Sequence, residues 1–482
     1  MHPLKKTSLM ECLASSLRSG SRWLILSMIP LSVALWGGTR PLTAELIGWV
    51  LVLATVFFVL SMIIPGERKS PERKLLIASL LILIPGWIMA LNGHSGWASA
   101  GFPECRSPSP LCLLPGSIDT ALTFPVMILT TGMLGALLIC SDLASSKTWR
   151  MRFWRILCLT GTGMVILGIA QRLTGAQAIY WNLREYHGGF FFSVFRYHAN
   201  AGAFINLIFP LTAGLAVRAL LKRDFLGGVF WTSSLLMMLA ASFVNVSRAA
   251  EAVTLFLMLI MAGCLTGMFS GRSLIASLPW IMAFLVILTV FAASFGLEKS
   301  LGRWRPGRPA VSLEGGSFFN TDRGLTYRSV VFHLLPKTGF WGSGPGTFEP
   351  AFAAVVKADS LPVKGRWDLA HNDYLQTLSE WGVIPFLSFI SLMFGAIWQG
   401  FRLWRLPRGS SVRLLGVCGA LSLLGVLVHA LVDFPLQIPS IQLCTAVICG
   451  ILLGTPRSSS STPEEINALN APWEEEREPV PR

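Results

Sequence analysis

The sequence predicts an all-α polytopic membrane protein of about twelve transmembrane helices, with one long loop on the outer side that holds short helices. Three observations lead there. Hydrophobic residues fill 53% of the 482 positions and charged residues only 13%, whereas soluble domains carry roughly 25% charged residues. Apolar runs of about twenty residues recur along the chain, the length a helix needs to cross a hydrocarbon core. Lys and Arg gather on alternate connections, as the positive-inside rule requires of a chain weaving through a bilayer. The seventeen Trp suit interfacial belts.

The expected spans, in order, are 22–38, 44–64, 73–91, 119–140, 153–172, 199–219, 226–245, 251–269, 274–295, 375–400, 412–431 and 436–454. Lys5, Lys6, Arg18 and Arg22 precede the first apolar run, which continues to Trp36 without a small-residue cleavage site. It therefore reads as a retained span and not as a removed signal peptide. The connections placed inside carry Arg68, Lys69, Arg73 and Lys74, then Lys147, Arg150 and Arg152, then Arg218, Lys222 and Arg223, then Arg402, Arg405, Arg408 and Arg413. Those placed outside carry Arg40 and Arg106, and none between 432 and 436. Both termini fall inside. The chain then divides into N-terminal membrane helices (1–295), a large outer loop (296–374), C-terminal membrane helices (375–454) and an acidic tail (455–482) whose polar composition predicts disorder.

The net charge of +14 is of the kind that fixes topology. No zinc-finger, RNA-recognition or helix-turn-helix signature supports a nucleic-acid partner. Of the nine cysteines, Cys105 and Cys112 share an outer loop, where they form a small disulfide or stay as thiols. The other seven show no metal-ligand spacing and read as small apolar residues.

Two further outer segments are unusual. Residues 174–198 are rich in aromatics, with Arg184, His187, Arg196 and His198 among them, and lead into Asn200. Such aromatics either anchor the interface or stack on sugar faces. The loop 296–372 holds ten Lys or Arg against six Asp or Glu. It is either a solvated mixed-charge surface or, beside the bilayer, a site for an anionic ligand such as a lipid diphosphate. Within it, Thr326 to Leu335 reads as a short helix. The glycine-rich Gly339–Phe348 that follows lacks the Lys-Ser/Thr ending of a nucleotide-binding loop.

The stretch from Trp367 to Gly382 runs from this loop into an apolar helix. Asn372 or Asp373 is a plausible N-cap, because a short polar side chain accepts from the free N–H groups of a first turn. His371 precedes the cap and faces water, where a neutral imidazole takes up a proton near pH 7; the plainer alternative is a boundary histidine bonded to a neighbouring loop. Glu380 lies deeper and reads as a buttress or an arginine partner. Arg248 and Asp433 lie at the outer ends of spans, where ionisable groups are costly and usually functional. Asp433 reads as a cap or an arginine partner more than as a reactive group.

Four pieces resemble the O-antigen ligase / O-antigen polymerase family of bacterial inner-membrane proteins. They are Ser247–Ala250, Tyr327-Arg328 through Phe348, Ala370 through Gly382, and His429 through Asp433 to Pro439. The third is the most specific, since His-Asn-x-Tyr-Leu-x-x-Leu-x-Glu-x-Gly is similar to the family's signature. Order and topology match over about 200–455.

The resemblance implies transfer of a glycan from undecaprenyl diphosphate to a lipid A–core or similar acceptor on the periplasmic face. It implies no cofactor, neither a nucleotide sugar nor a metal. His371 would be general base, and Arg248 with Arg323 or Arg328 would stabilise the departing diphosphate. Asp322-Arg323-Gly324 resembles the family's entry to this helix, which favours Arg323. Asn372, Tyr374 and Asp433, and more loosely Arg196, His198 and Asn200, would line the substrate site. A polymerase of the same family, a transferase to protein hydroxyls, and a transporter of lipid-linked oligosaccharides are the alternatives. A transporter is expected to bury charges near mid-bilayer, whereas these charges lie at outer ends.

Overall fold

A computed structural model describes residues 9–64, 72–93, 114–182, 191–245, 247–269, 322–363, 365–406 and 410–456. Within them the chain is helical and contains no strand. The first eight helices are α1 (Leu9–Ala34), α2 (Pro41–Ile63), α3 (Arg73–Leu91), α4 (Thr120–Leu143), α5 (Lys147–Leu173), α6 (His198–Leu221), α7 (Phe225–Val244) and α8 (Arg248–Phe269). There follow α9 (Asp322–Ser329), α10 (Phe348–Ala358), α11 (Asp373–Trp381), α12 (Val383–Arg402), α13 (Ser411–His429) and α14 (Pro439–Gly454).

Nine of the described helices, α2 to α8, α12 and α13, are long and apolar enough to cross a bilayer. The protein is therefore a multi-span membrane protein. α6 and α13 are the most enclosed, with 78% and 83% of their apolar windows buried, and they pack on each other at the centre. A helix apolar on every face needs neighbours on every face, and α6 also meets α5, α7 and α8. On the other side α4 packs against α2 and α14. There Gly450 and Gly454 admit the backbone of Leu137 and Ser141 where a Cβ would collide, the close approach that small residues permit between membrane helices.

Three expected spans differ from the observed helices. The expected 22–38 lies mostly within α1, whose first turns carry Glu11, Arg18 and Arg22; Arg18 pairs with Asp142 of α4, and α1 is not among the nine. The expected 375–400 is two helices. Gly382, at φ 74°, ends α11 and starts α12, a left-handed turn hidden from a hydropathy scan that runs straight across it. The last span is shorter than expected, 16 residues beginning at Pro439, because 435–437 is spent on a separate 3-10 turn. The expected span 274–295, most of the large loop, Cys105, Cys112, Arg184, His187 and the tail from 457 lie outside the described residues. In the loop, the short helix begins earlier than expected, at Asp322. It continues through a π turn, Val330–Leu334, to Thr338.

Candidate functional site

The N-terminal end of α6, the connection from α13 to α14, α9 and the start of α11 meet at His371. Asn372 caps α11: its Oδ1 accepts from Leu375 N–H at 3.0 Å, and its Nδ2 donates to Leu431 C=O at 2.9 Å. Asp373, the other expected cap, is instead buried inside the first turn. Its N–H donates to Ala430 C=O, and its carboxyl accepts from Leu436 N–H at 2.8 Å and Gln437 Nε2 at 3.0 Å. Tyr374 donates to Leu427 C=O at 2.8 Å. Three consecutive side chains thus pin α11 to the end of α13 and its connection.

That pinning sets the conformation of His371, which sits at φ 54°. A left-handed backbone is unfavourable for a non-glycine residue, costing about 1–3 kcal/mol unless its surroundings enforce it. Here Asn372 and Asp373 hold one side, and Tyr327 donates its hydroxyl to the His371 C=O on the other. The imidazole is then directed at Asp433, Nδ1 to Oδ1 3.2 Å. Its side chain is 23% exposed while that of Asp433 is 2% exposed. Trp367 and Phe434 meet the ring edge to face, with centroids 5.5 and 4.8 Å away.

The sequence suggested a helix cap or an arginine partner for Asp433; among the described residues it is neither, and its hydrogen bonds there are to His371 and Phe434. Its Oδ1 accepts from Phe434 N–H at 3.1 Å, and its carboxyl lies beside the Tyr197 hydroxyl. That hydroxyl accepts in turn from Arg323 Nη2 at 3.1 Å, while Arg323 Nη1 donates to Val432 C=O at 3.0 Å. The chain of contacts runs from guanidinium to phenol to carboxylate to imidazole. Burial, then the Asp433 charge, raises the Tyr197 phenol, and burial pushes Tyr327 up to about 12. Both therefore remain neutral donors at pH 7. Among the described residues these bonds use two of the five Arg323 donors.

A second polar cluster lies at the far end of α11. Glu380 pairs with no arginine among the described residues. Its carboxyl accepts from Gly346 N–H at 3.2 Å and Phe348 N–H at 2.9 Å, and Gln376 donates to it at 3.3 Å. Gln376 also accepts from Ala370 N–H at 3.0 Å, just before His371. The glycine-rich turn acts through its backbone: Gly342 stands at φ 82° with no room for a Cβ against the Glu380 carbonyl. Burial pushes Asp373 up to about 8 and Glu380 up to about 7, in each case only partly offset by the hydrogen bonds they accept. Beneath α11 the two carboxyls border a mainly apolar cavity of ≈ 200 Å³ between α4, α12 and α14.

The other residues singled out from sequence are less converged. Arg328 is exposed on α9, five positions from Arg323 and so on a different face. Arg196 is exposed beside Tyr197, and Arg248 is exposed at the first position of α8. The turn holding Arg248 is tied to the start of α6, where Asn245 Nδ2 donates to His198 C=O at 2.7 Å. His198 stacks obliquely on Tyr197, centroids 5.0 Å apart. Asn200 is buried, and its Oδ1 has no hydrogen-bond partner among the described residues. Sequence reasoning missed Tyr197 and Phe434, which stack on each other at 5.5 Å and wall the site. The tyrosine inside an aromatic run next to the start of a span was the available signal.

No family model matches the chain, and comparison with curated proteins gives no match. The site therefore rests on its own geometry.

Proposed function

We propose that the protein is a glycosyltransferase of the O-antigen ligase or polymerase type, moving a glycan from a polyprenyl diphosphate to an acceptor hydroxyl at the outer membrane surface. The observation that carries this is the His371–Asp433 pair, aimed by a strained backbone and joined through Tyr197 to Arg323. If Nδ1–H donates to Asp433, Nε2 keeps its lone pair and serves as the base. It takes the acceptor proton as the hydroxyl oxygen attacks the anomeric carbon. The bond from that carbon to the phosphate oxygen breaks, and the electron pair leaves on the diphosphate. One displacement inverts the anomeric centre.

General base catalysis is worth about 10²–10⁴ in rate. The departing charge needs cations aimed at it in advance, which Arg323, Arg196, Arg248 and Arg328 supply from the same end of the bundle. Arg323 is the best placed, since it steadies Tyr197 beside the His371–Asp433 pair. The apolar cavity beneath α11 gives room for polyprenyl chain. The bacterial inner membrane, a periplasmic site and cytoplasmic termini belong to this proposal, as do the lipid-linked donor and the lipid A–core or glycan acceptor.

The test is reconstituted full-length protein with a labelled polyprenyl-diphosphate glycan and several acceptors, with chelator and without ATP. The expected result is mass gained by one acceptor and release of polyprenyl diphosphate, both abolished by His371→Ala. Undiminished transfer by that variant sinks the assignment. Strict dependence on metal or ATP sinks the mechanism. The acceptor that gains mass distinguishes ligase from polymerase.

A further inference from the structure

The segment from Asp322 to Trp341 has a face that the proposed chemistry does not use. Its inward side is apolar: Val330 and Leu334 are buried against Phe348, Phe352 and Val355 of α10. Its outward side is apolar too. Val331 and Phe332 are exposed on the π turn, and Phe340 and Trp341 at the start of the glycine-rich turn, with Phe332 at 68% and Phe340 at 52%. Large apolar side chains so close together are costly to leave in water, and a helix apolar on both sides calls for an apolar neighbour on both. Backbone contacts fix where this face lies. Phe340 C=O accepts from Val383 N–H, at the first residue of α12, at 2.9 Å, and Ser343 C=O accepts from Ile118 N–H, just before α4, at 3.0 Å. Both helices are long and apolar enough to cross a bilayer, so the turn sits at its boundary. One turn into α12, Leu387 is exposed as well.

We propose that this face is seated in the leaflet at the His371 end of the bundle, so that Val331, Phe332, Phe340 and Trp341 contact lipid at the boundary between headgroups and acyl chains. A lipid surface is favoured over a protein partner because the face continues the exposed surface of α12 at Leu387. Trp341 also stands edge to face with Phe340, centroids 5.1 Å apart, at the level where membrane proteins place tryptophan. A helix bound in this way lies in the plane of the interface, with its apolar side chains about 5–10 Å into it. The rival occupants are a partner protein and a part of this chain outside the described residues. The same segment carries Arg323, and Tyr327 whose hydroxyl donates to the His371 C=O. Its seat in the lipid therefore sets the depth of the site.

The experiment uses the full chain in phosphatidylcholine vesicles, with Phe332→Cys or Phe340→Cys carrying a fluorophore and the signal of the labelled unaltered chain subtracted. Lipids brominated high in the acyl chain should quench both positions more than lipids brominated near the chain end, and aqueous iodide should quench neither. Lys357→Cys, at an exposed position of α10, should show the reverse, quenched by iodide and not by lipid. Quenching of positions 332 and 340 by iodide alone would leave the face in water and overturn the proposal. Protection from both quenchers would mean a protein cover, and overturns it too. If the labelled variants fail to fold, the unaltered chain is irradiated in phosphatidylcholine carrying a diazirine on its acyl chain. Adducts on residues 331–341 are expected, and adducts confined to the membrane-crossing helices overturn the proposal. Neither measurement needs transfer activity, so the lipid contact and the glycosyl transfer stand or fall separately.

Discussion

His371 and Glu380 mark the two ends of α11, and the polar groups around them are built differently. Around His371, Asp433 is enclosed yet meets an imidazole that is partly open to water, a phenol and a backbone N–H, with a guanidinium one bond away. Around Glu380, the carboxyl's partners among the described residues are amide donors, and it is buried, as is that of Asp373. Desolvation therefore governs the second cluster and pushes both carboxyls toward neutrality. A carboxylate that must orient a base needs charged or polar partners and an opening. One that must hold a loop in place needs only acceptors aimed at N–H groups. Breaking the first cluster should cost activity, and breaking the second should cost the fold.

The largest expected effect is at Asp433. Asp433→Asn leaves the shape but replaces an acceptor-only carboxylate by an amide whose NH₂ can donate to Nδ1, so the Nδ1–H tautomer is no longer fixed. Transfer should fall about 10²–10⁴-fold, the whole worth of the base, with an unchanged thermal midpoint; activity within threefold would contradict the pairing. Next is Arg323→Gln, expected to lower transfer about 10- to 100-fold, since a hydrogen bond to a charged group is worth about 1.5–3 kcal/mol. Arg328→Gln should change it less than about threefold, and the reverse order would move the diphosphate to the exposed arginine.

Glu380→Ala leaves the N–H groups of Gly346 and Phe348 without their acceptor, at about 1–3 kcal/mol each. It should show as a lower unfolding midpoint, with activity per folded molecule kept; intact stability would mean that water replaces the carboxyl. The smallest effect is in pH. Both raised carboxyls hold their proton more tightly in the fold than in the unfolded chain. Their contribution is whole below pH ~4 and is lost as pH rises through about 7 for Glu380 and about 8 for Asp373. The midpoint should drop across that window, and Asp373→Asn should flatten the upper part; a flat profile there would show that both are ionised in the fold.

Much of the site could be read from residue order. Asn372 as a cap follows from a short polar side chain before an apolar turn. His371 follows from its place ahead of that cap. The choice of Arg323 over Arg328 was favoured by its neighbours in sequence, and the structure gives a physical reason, since Arg323 reaches Tyr197 and Val432 while Arg328 is exposed. What was misread involves contacts between distant positions. Glu380 suggested an arginine partner because carboxylates commonly find one, and it meets the backbone of a turn more than thirty residues earlier. Asp433 suggested a cap or an arginine partner, and it meets Tyr197 just before α6 and His371 two residues before α11.

Composition and hydropathy alone determined that the chain is helical and embedded in a bilayer, because solvent selects for apolar runs of a fixed length wherever they lie. They also located the polar interruptions at which chemistry is possible. Which interruptions meet was decided only by tertiary structure, since α6 and α13 must pack side by side to bring Tyr197 to Asp433. The breaks at Gly382 and Pro439 likewise needed the fold, because backbone turns are set by φ and by what a Cβ would strike, and neither registers in a count of apolar residues.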